Sequence, residues 1–374
     1  MIVPGKLYCS RKPIFIGLLA TLCMPWVSPP ASAQGYVQFN YDSLMRVPGQ
    51  NAFWEDPNLF VPWGMAFSSL GPIWISNNGS GTSTVYNGKN LGFRFPSLNQ
   101  LVVAVPPCSA SSTCSSTGSP TGIVFNNTKS DFMVSQKGMS GKAAFIFATS
   151  DGTISGWSPE VNLSTAVVAV DNSASGASYA GLALGTNSAG SNFLYAPNGS
   201  GLGAIDVFDK NFARATLTGS FTDPGLPAGF VPFNVQSIGP TWLYVTYVPT
   251  ATSSPSEGLG LVDVFDTDGN FVRRFATSGT LNLPWGLALA PANFGQFSND
   301  LLVGNLGDGR INAFDPITGN FVGQLSDPSG KIITIEFLWA LAFGNGALAG
   351  RSNYLLYTAG SKGGLFGSIH PLGQ

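Results

Sequence analysis

Pro284-Trp285-Gly286-Leu287-Ala288-Leu289 is one of six echoes that decide the fold of this 374-residue chain. The others are Pro62-Trp63-Gly64-Met65-Ala66-Phe67, Pro120-Thr121-Gly122-Ile123-Val124-Phe125, Tyr179-Ala180-Gly181-Leu182-Ala183-Leu184, Pro232-Phe233-Asn234-Val235-Gln236 and Leu338-Trp339-Ala340-Leu341-Ala342-Phe343. They recur at steps of 52 to 59 residues. A period of that length marks one repeated supersecondary unit, and six units with strand chemistry predict an all-β, six-bladed β-propeller of four-stranded antiparallel blades.

Working outward from Trp285 shows how one unit is built. Gly286 to Leu289 is an inner strand of small and apolar residues, as expected where strands converge on an axis. Asp300 to Asn305 follows as the second strand, and Arg310 to Asp315 as the third. Asp308-Gly309 between them is a strong hairpin signal because both residues accept positive φ. After a turn at Ile317 to Asn320, Phe321 to Leu325 completes a meander. Third strands recur as Ser83 to Asn87, Ile154 to Ser158, Ile205 to Asp209 and Val262 to Asp266, alternating with the period of two that a strand requires. The Trp or Phe beside each inner strand is expected to pack between neighbouring blades. Asp131 to Lys142 is an addition to the second unit, and Ser109 to Ser119 and Thr250 to Gly260 read as polar surface loops.

The sixth unit supplies only three strands, ending at Gly364 to Ile369, while Tyr36 to Val47 precedes the first unit with no blade of its own. The economical solution is that this N-terminal segment completes the sixth blade and closes the ring, which removes two exposed sheet edges.

Lys6, Arg11 and Lys12 precede an apolar stretch, Ile14 to Val27, that ends in Ala31-Ser32-Ala33. Residues 1–33 are therefore predicted to be a secretory signal, and residues 34–374 a single domain. An uncleaved anchor is the weaker alternative, since Pro25 interrupts a stretch short for a bilayer span. Without residues 1–33 the chain keeps 14 Lys+Arg against 19 Asp+Glu. So few, scattered basic groups argue against nucleic acid as a partner. Cys108 and Cys114 remain once Cys9 and Cys23 leave with the signal, and in an oxidising compartment they are expected to form a disulfide. Zinc fits poorly, because two thiols with no nearby histidine make half a site.

The runs Pro62 to Phe67 with Ile73 to Gly79, Phe145 to Trp157, Gly219 to Pro224, Pro284 to Gly304 and Leu338 to Gly346 resemble a family of uncharacterised secreted proteins, mainly bacterial and related to the NHL-repeat propellers. The resemblance covers nearly all of residues 36–369. It implies a propeller and export, and it brings no catalytic residues with it; the chain's ending at Gln374, without the sorting anchor of some members, implies a soluble product.

Catalytic chemistry has little to work with. His370 is the one histidine and stands fifth from the end, where it reads as an exposed tail residue, not as the base of a triad. Gly199 to Gly203 is glycine-rich but lacks the lysine and following helix of a phosphate loop, so turn formation explains it better. Asn78, Asn126, Asn162 and Asn198 each begin an Asn-x-Ser/Thr pattern that matches a glycan acceptor. Asn77, Asn78, Asn198, Asn305 and Asp308, with Asp151, recur after the second strands at one rim. Their oxygens could ligate calcium, with Asn198, Asn305 and Asp308 as the candidate ligands, although such residues also suit hairpins.

Two functions follow from these expectations. The first is a secreted binding or scaffolding module, monomeric, whose partner is a protein, a glycan or a small molecule. The alternative is a calcium-dependent hydrolase or lactonase with an axial metal. An acid and several amide oxygens around one axial cavity would favour the enzyme; a channel lined by Val, Ala and Gly would favour the scaffold.

Overall fold

β1 (Tyr36–Ser43) and the two-residue β2 (Trp54–Glu55) open the chain in a computed structural model that describes residues 35–45, 52–88, 97–201, 203–250, 258–360 and 363–373. Both strands belong to the last blade. Blade one is β3 (Pro62–Ala66), β4 (Ile73–Asn77), β5 (Thr82–Asn87) and β6 (Ser97–Ala104). Blade two is β7 (Pro120–Phe125), β10 (Phe145–Thr149), β11 (Thr153–Trp157) and β12 (Val167–Asp171), with β8 (Met133–Gln136) and β9 (Met139–Lys142) as a separate hairpin where the sequence shows an insertion. Blade three is β13 (Ala183–Thr186), β14 (Asn192–Asn198) and β15 (Ala204–Phe208). Blade four is β16 (Phe230–Ser237), β17 (Trp242–Pro249), β18 (Leu261–Asp266) and β19 (Phe271–Thr277); blade five is β20 (Pro284–Leu289), β21 (Leu301–Asn305), β22 (Ile311–Phe314) and β23 (Phe321–Gln324). The sixth comprises β24 (Leu338–Phe343), β25 (Leu355–Ala359), β26 (Leu365–Pro371) and β1.

The molecule is thus a six-bladed propeller of small antiparallel sheets, closed by its N-terminal strand. β1 runs antiparallel to β26 from Tyr36 opposite Pro371 to Ser43 opposite Leu365, with one bulge between Asn40 and Asp42. Two tyrosines fasten it. The Tyr36 hydroxyl donates to the Phe294 carbonyl (2.9 Å) and accepts from the Phe297 amide (3.1 Å), while its ring packs on both phenylalanines. Tyr41 is buried against Phe366 and Leu59 on the side of blade one. The closing strand therefore touches the blades on both sides of the seam.

Blade three departs from the four-stranded expectation. After β15 the Asp209 carboxylate accepts the amides of Asn211 and Ala213, and Phe212 takes a left-handed conformation (φ 62°), so the chain turns tightly. Only a single bridge, Phe208 to Arg214, pairs the returning segment with β15. The chain is then captured by the next blade, where the Gly219 and Phe221 amides donate to the Asp268 and Gly269 carbonyls.

The repeated glycine has a steric reason. A Cβ on Gly64 would lie 2.4 Å from the Thr121 carbonyl oxygen, one on Gly122 2.3 Å from the Leu182 amide nitrogen, one on Gly181 2.2 Å from Asn234 Oδ1, and one on Gly286 2.4 Å from the Trp339 carbonyl oxygen. Each glycine lets one inner strand touch the next, so side-chain-free backbone sets the radius of the ring. Hydrogen bonds tie the same level: Thr121 Oγ1 donates to the Tyr179 carbonyl (2.7 Å), Asn234 Nδ2 to the Trp285 carbonyl (2.8 Å) and Thr358 Oγ1 to the Trp63 carbonyl (2.5 Å).

Cys108 and Cys114 form a disulfide with their Cα atoms 5.4 Å apart. Its loop is pinned to blade two, where Asp171 Oδ2 accepts the amides of Ser109 (2.7 Å) and Ala110 (3.0 Å). All described residues lie in the compact unit Ala33–Gln374. The expected signal segment, residues 1–33, lies outside the described residues. No helix among the described residues is long and apolar enough to cross a membrane.

Candidate functional site

The two ends of the propeller axis are built from opposite ends of the same inner strands. At the end where those strands begin, ladder pairing skips the residues around the echo's second position. Register shifts fall between Pro62 and Met65, Pro232 and Asn234, Pro284 and Gly286, and Leu338 and Leu341. A bulge re-aims the side chain it releases. Here it turns Trp63, Phe233, Trp285 and Trp339 inward, so the packing between blades that the sequence predicted converges on the axis. Trp339 stacks on Trp63 at 3.7 Å between ring centroids, and Trp285 and Phe233 each approach it at 6.0 Å. Trp285 Nε1 reaches across the axis to donate to the Ala180 carbonyl of the third repeat (3.0 Å). This end is plugged.

At the other end the strands diverge around a cavity of about 580 Å³. Its floor is Met65, Ile123, Leu182 and Ala183, and Met65 also packs against the aromatic plug. Ala66, Val124, Phe125, Leu184 and Ala342 form half-buried walls, while Ser69, Asn127 and Gln236 stand exposed at the lip. Among the described residues, no carboxylate, imidazole, thiol or basic group lines it. The volume lies within the ~300–1,000 Å³ usual for small-molecule pockets.

The candidate calcium ligands sit at the plugged end, since each second strand runs antiparallel to its inner strand and finishes there. Asn198 Oδ1 accepts the amides of Ser178 (3.0 Å) and Ser200 (3.2 Å) and the Ser200 hydroxyl (2.7 Å), while its Nδ2 donates to Asp206 (3.2 Å). Asn305 Oδ1 accepts the Asn282 amide (3.1 Å) and Nδ2 donates to the Thr280 carbonyl (2.8 Å). Asp308 Oδ1 accepts the Arg310 amide (3.0 Å). Each bond stays within that residue's own blade or the turn leading into it, one set in blade three and the other in blade five. Among the described residues no group of three or more His, Cys, Asp or Glu side chains is placed to hold a metal.

The glycan-acceptor patterns have local geometry of their own. Asn126 is fully buried, its Nδ2 donating to the Asp131 and Ala143 carbonyls, and its Oδ1 accepts both the amide (3.1 Å) and the hydroxyl (2.7 Å) of Thr128. Asn162 and Asn198 capture Ser164 and Ser200 in the same way. In these three patterns the hydroxyl residue closes an Asx turn.

His370 corrects its expectation as a tail residue. Because β1 covers β26, the imidazole is held within the sheet, stacked on Tyr354 at 3.4 Å and bonded to Ser368 Oγ (2.5 Å) and Tyr41 (3.2 Å). Burial, aided by nearby Arg351, lowers its pKa to about 3. Asp42, also in the closing strand, is pushed up to about 7 by burial and by the neighbouring Asp56, whose Oδ2 accepts the Tyr86 hydroxyl (2.6 Å). Neither residue is among those that line the funnel.

No protein-family model matches the chain. Its sequence is 30% identical over 352 residues to uncharacterized protein R648 of Acanthamoeba polyphaga mimivirus, covering 91% of this chain and 81% of that protein. The chain belongs to the family of that mimivirus protein. A second mimivirus relative, uncharacterized protein L690, is 29% identical over 352 residues, covering 91% and 88% of the two chains. Solved structures similar to this member of the family include the PQQ-bound aldose sugar dehydrogenase from Streptomyces coelicolor (14% identity, TM-score 0.48, 83% of this chain and 94% of that one). A chain of the nidogen/laminin complex is also similar (15% identity, TM-score 0.41, 75% and 86% coverage).

Proposed function

We propose that this protein is an exported binding or scaffolding propeller that presents its axial funnel to a ligand. The observation that carries this reading is the funnel's lining, which joins apolar walls to amide and hydroxyl groups at the lip and, among the described residues, holds no carboxylate, imidazole, thiol or basic group that could activate those hydroxyls. Rigid inner strands suit such a role, because a site on a sheet scaffold is held in place before the ligand arrives. Export rests on the signal pattern of residues 1–33 and agrees with the Cys108–Cys114 disulfide. Kinship with the NHL-repeat propellers belongs to the same proposal.

The alternative, a calcium-dependent hydrolase or lactonase with Asn198, Asn305 and Asp308 around the ion, makes a different thermodynamic prediction. A ligand that binds only the native state must raise its melting temperature by mass action. Calcium titration with thermal melting, run beside lactone and ester hydrolysis assays, decides between them. The binding reading predicts an unchanged melting temperature and no turnover. A calcium-dependent rise lost in Asn305→Ala and Asp308→Ala, together with turnover, would replace it with the enzyme.

A further inference from the structure

We infer that the funnel accepts one neutral, amphipathic small molecule, apolar body inward and a hydrogen-bonding group outward. The inference rests on the binding reading above and adds the chemical class of the ligand. Three observations converge on it. The first is the gradient of the lining, from the buried floor at Ile123, Leu182 and Ala183 to the exposed lip at Asn127 and Gln236. The second is the plug beneath it: with Trp63 stacked on Trp339, the floor is closed and the site is a dead end, not a channel. The third is that no ionisable side chain among the described residues lines the cavity.

A charged group carried to this floor would lose its hydration and gain no counter-charge, at a cost of several kcal/mol. An apolar surface there gains roughly 25 cal/mol for each Å² removed from water. At the lip, the carboxamides of Asn127 and Gln236 both donate and accept, so they suit a hydroxyl, amide or ether oxygen and give no preference for a carboxylate or an ammonium group. Leu70, in the turn after the first inner strand, and Leu289, at the end of β20, are exposed on the same face and extend the apolar character outward.

N-phenyl-1-naphthylamine and 8-anilinonaphthalene-1-sulfonate test this directly, because the second is the first with a sulfonate added. Fluorescence titration of the protein should show one saturable site for the neutral dye. The sulfonate should bind at least about tenfold more weakly, equivalent to ~1.4 kcal/mol. Ala342→Trp, which fills the cavity from its wall, should weaken the neutral dye by at least about tenfold. Gln236→Trp does the same from an exposed lip position where folding is not at stake, and circular dichroism melting checks both variants. Equal binding of the two dyes, still blocked by Gln236→Trp, would keep a binding funnel but overturn the neutral class. No saturable binding of the neutral dye to folded protein, or binding unaffected by both variants, would overturn the site itself.

Discussion

The plugged and open ends of the axis differ because of what the inner strands carry at their two extremities. At the start of the repeat large rings are released by bulges and fill the axis; at its end Ala66, Ala183 and Ala342 leave it empty. Between them the glycines at 64, 122, 181 and 286 hold the strands in contact. The same six echoes therefore encode a lid and a cup. A large side chain fills the axis at one end, and a small one leaves a cavity at the other.

Both ends presuppose a closed ring, so the largest effect should come from opening it. Removing residues 36–43 leaves β26 with an unpaired edge and strips Tyr36 from the Phe294–Phe297 pocket. The expected result is loss of a cooperative unfolding transition, with aggregation, and an unchanged melting curve would disprove seam closure by β1. Next in size is the plug. Trp339→Ala removes the ring on which Trp63, Trp285 and Phe233 converge, and should cost on the order of 3–5 kcal/mol by chemical denaturation. Ala342→Trp, an equally large change in volume at the open end, should cost far less because it enters empty space; equal losses would erase the distinction between the ends.

A smaller loss is expected from Gly286→Ala, whose Cβ would meet the Trp339 carbonyl, at roughly 1–3 kcal/mol from overpacking. The smallest effects concern pH and leave both ends intact. Asp42 is protonated in the native state up to about pH 7, so between its unfolded value near 3.8 and 7 the native state binds more protons and stability falls as pH rises. Asp42→Asn should flatten that fall and raise the melting temperature at pH 8 by a few degrees. His370 has the opposite sign. Its folded value near 3 lies below the unfolded 6.5, so stability is complete above 6.5 and is lost as pH falls toward 3. His370→Gln should reduce the acid sensitivity, read as melting temperature across pH 4 to 7.

The repeat, the ring closure by Tyr36 onward and the Cys108–Cys114 pair were legible in the sequence because each is a matter of spacing or of counting. The direction of Trp63, Trp285 and Trp339 was not. Period-two alternation assigns a side chain to one face of a strand, and a bulge breaks that assignment without any mark in composition. His370 was misplaced for a related reason. Fifth from the end it reads as tail, yet a strand from the other terminus covers it. Blade three shows tertiary capture, since the segment that could have been its fourth strand bonds to the Asp268–Asn270 turn of blade four. The funnel left one faint signal, the recurrence of Ala at positions 66, 183 and 342, which becomes meaningful only once the strands are arranged around an axis.

The difference between lid and cup, and the function drawn from it, can be tested in one crystal structure of the protein grown with N-phenyl-1-naphthylamine. The dye should lie on the axis against Ile123, Leu182 and Ala342, with its amine toward Gln236 or Asn127 and the Trp63–Trp339 stack undisturbed. Dye found instead among the tryptophans, or outside the axis altogether while the funnel stays empty, would contradict the account.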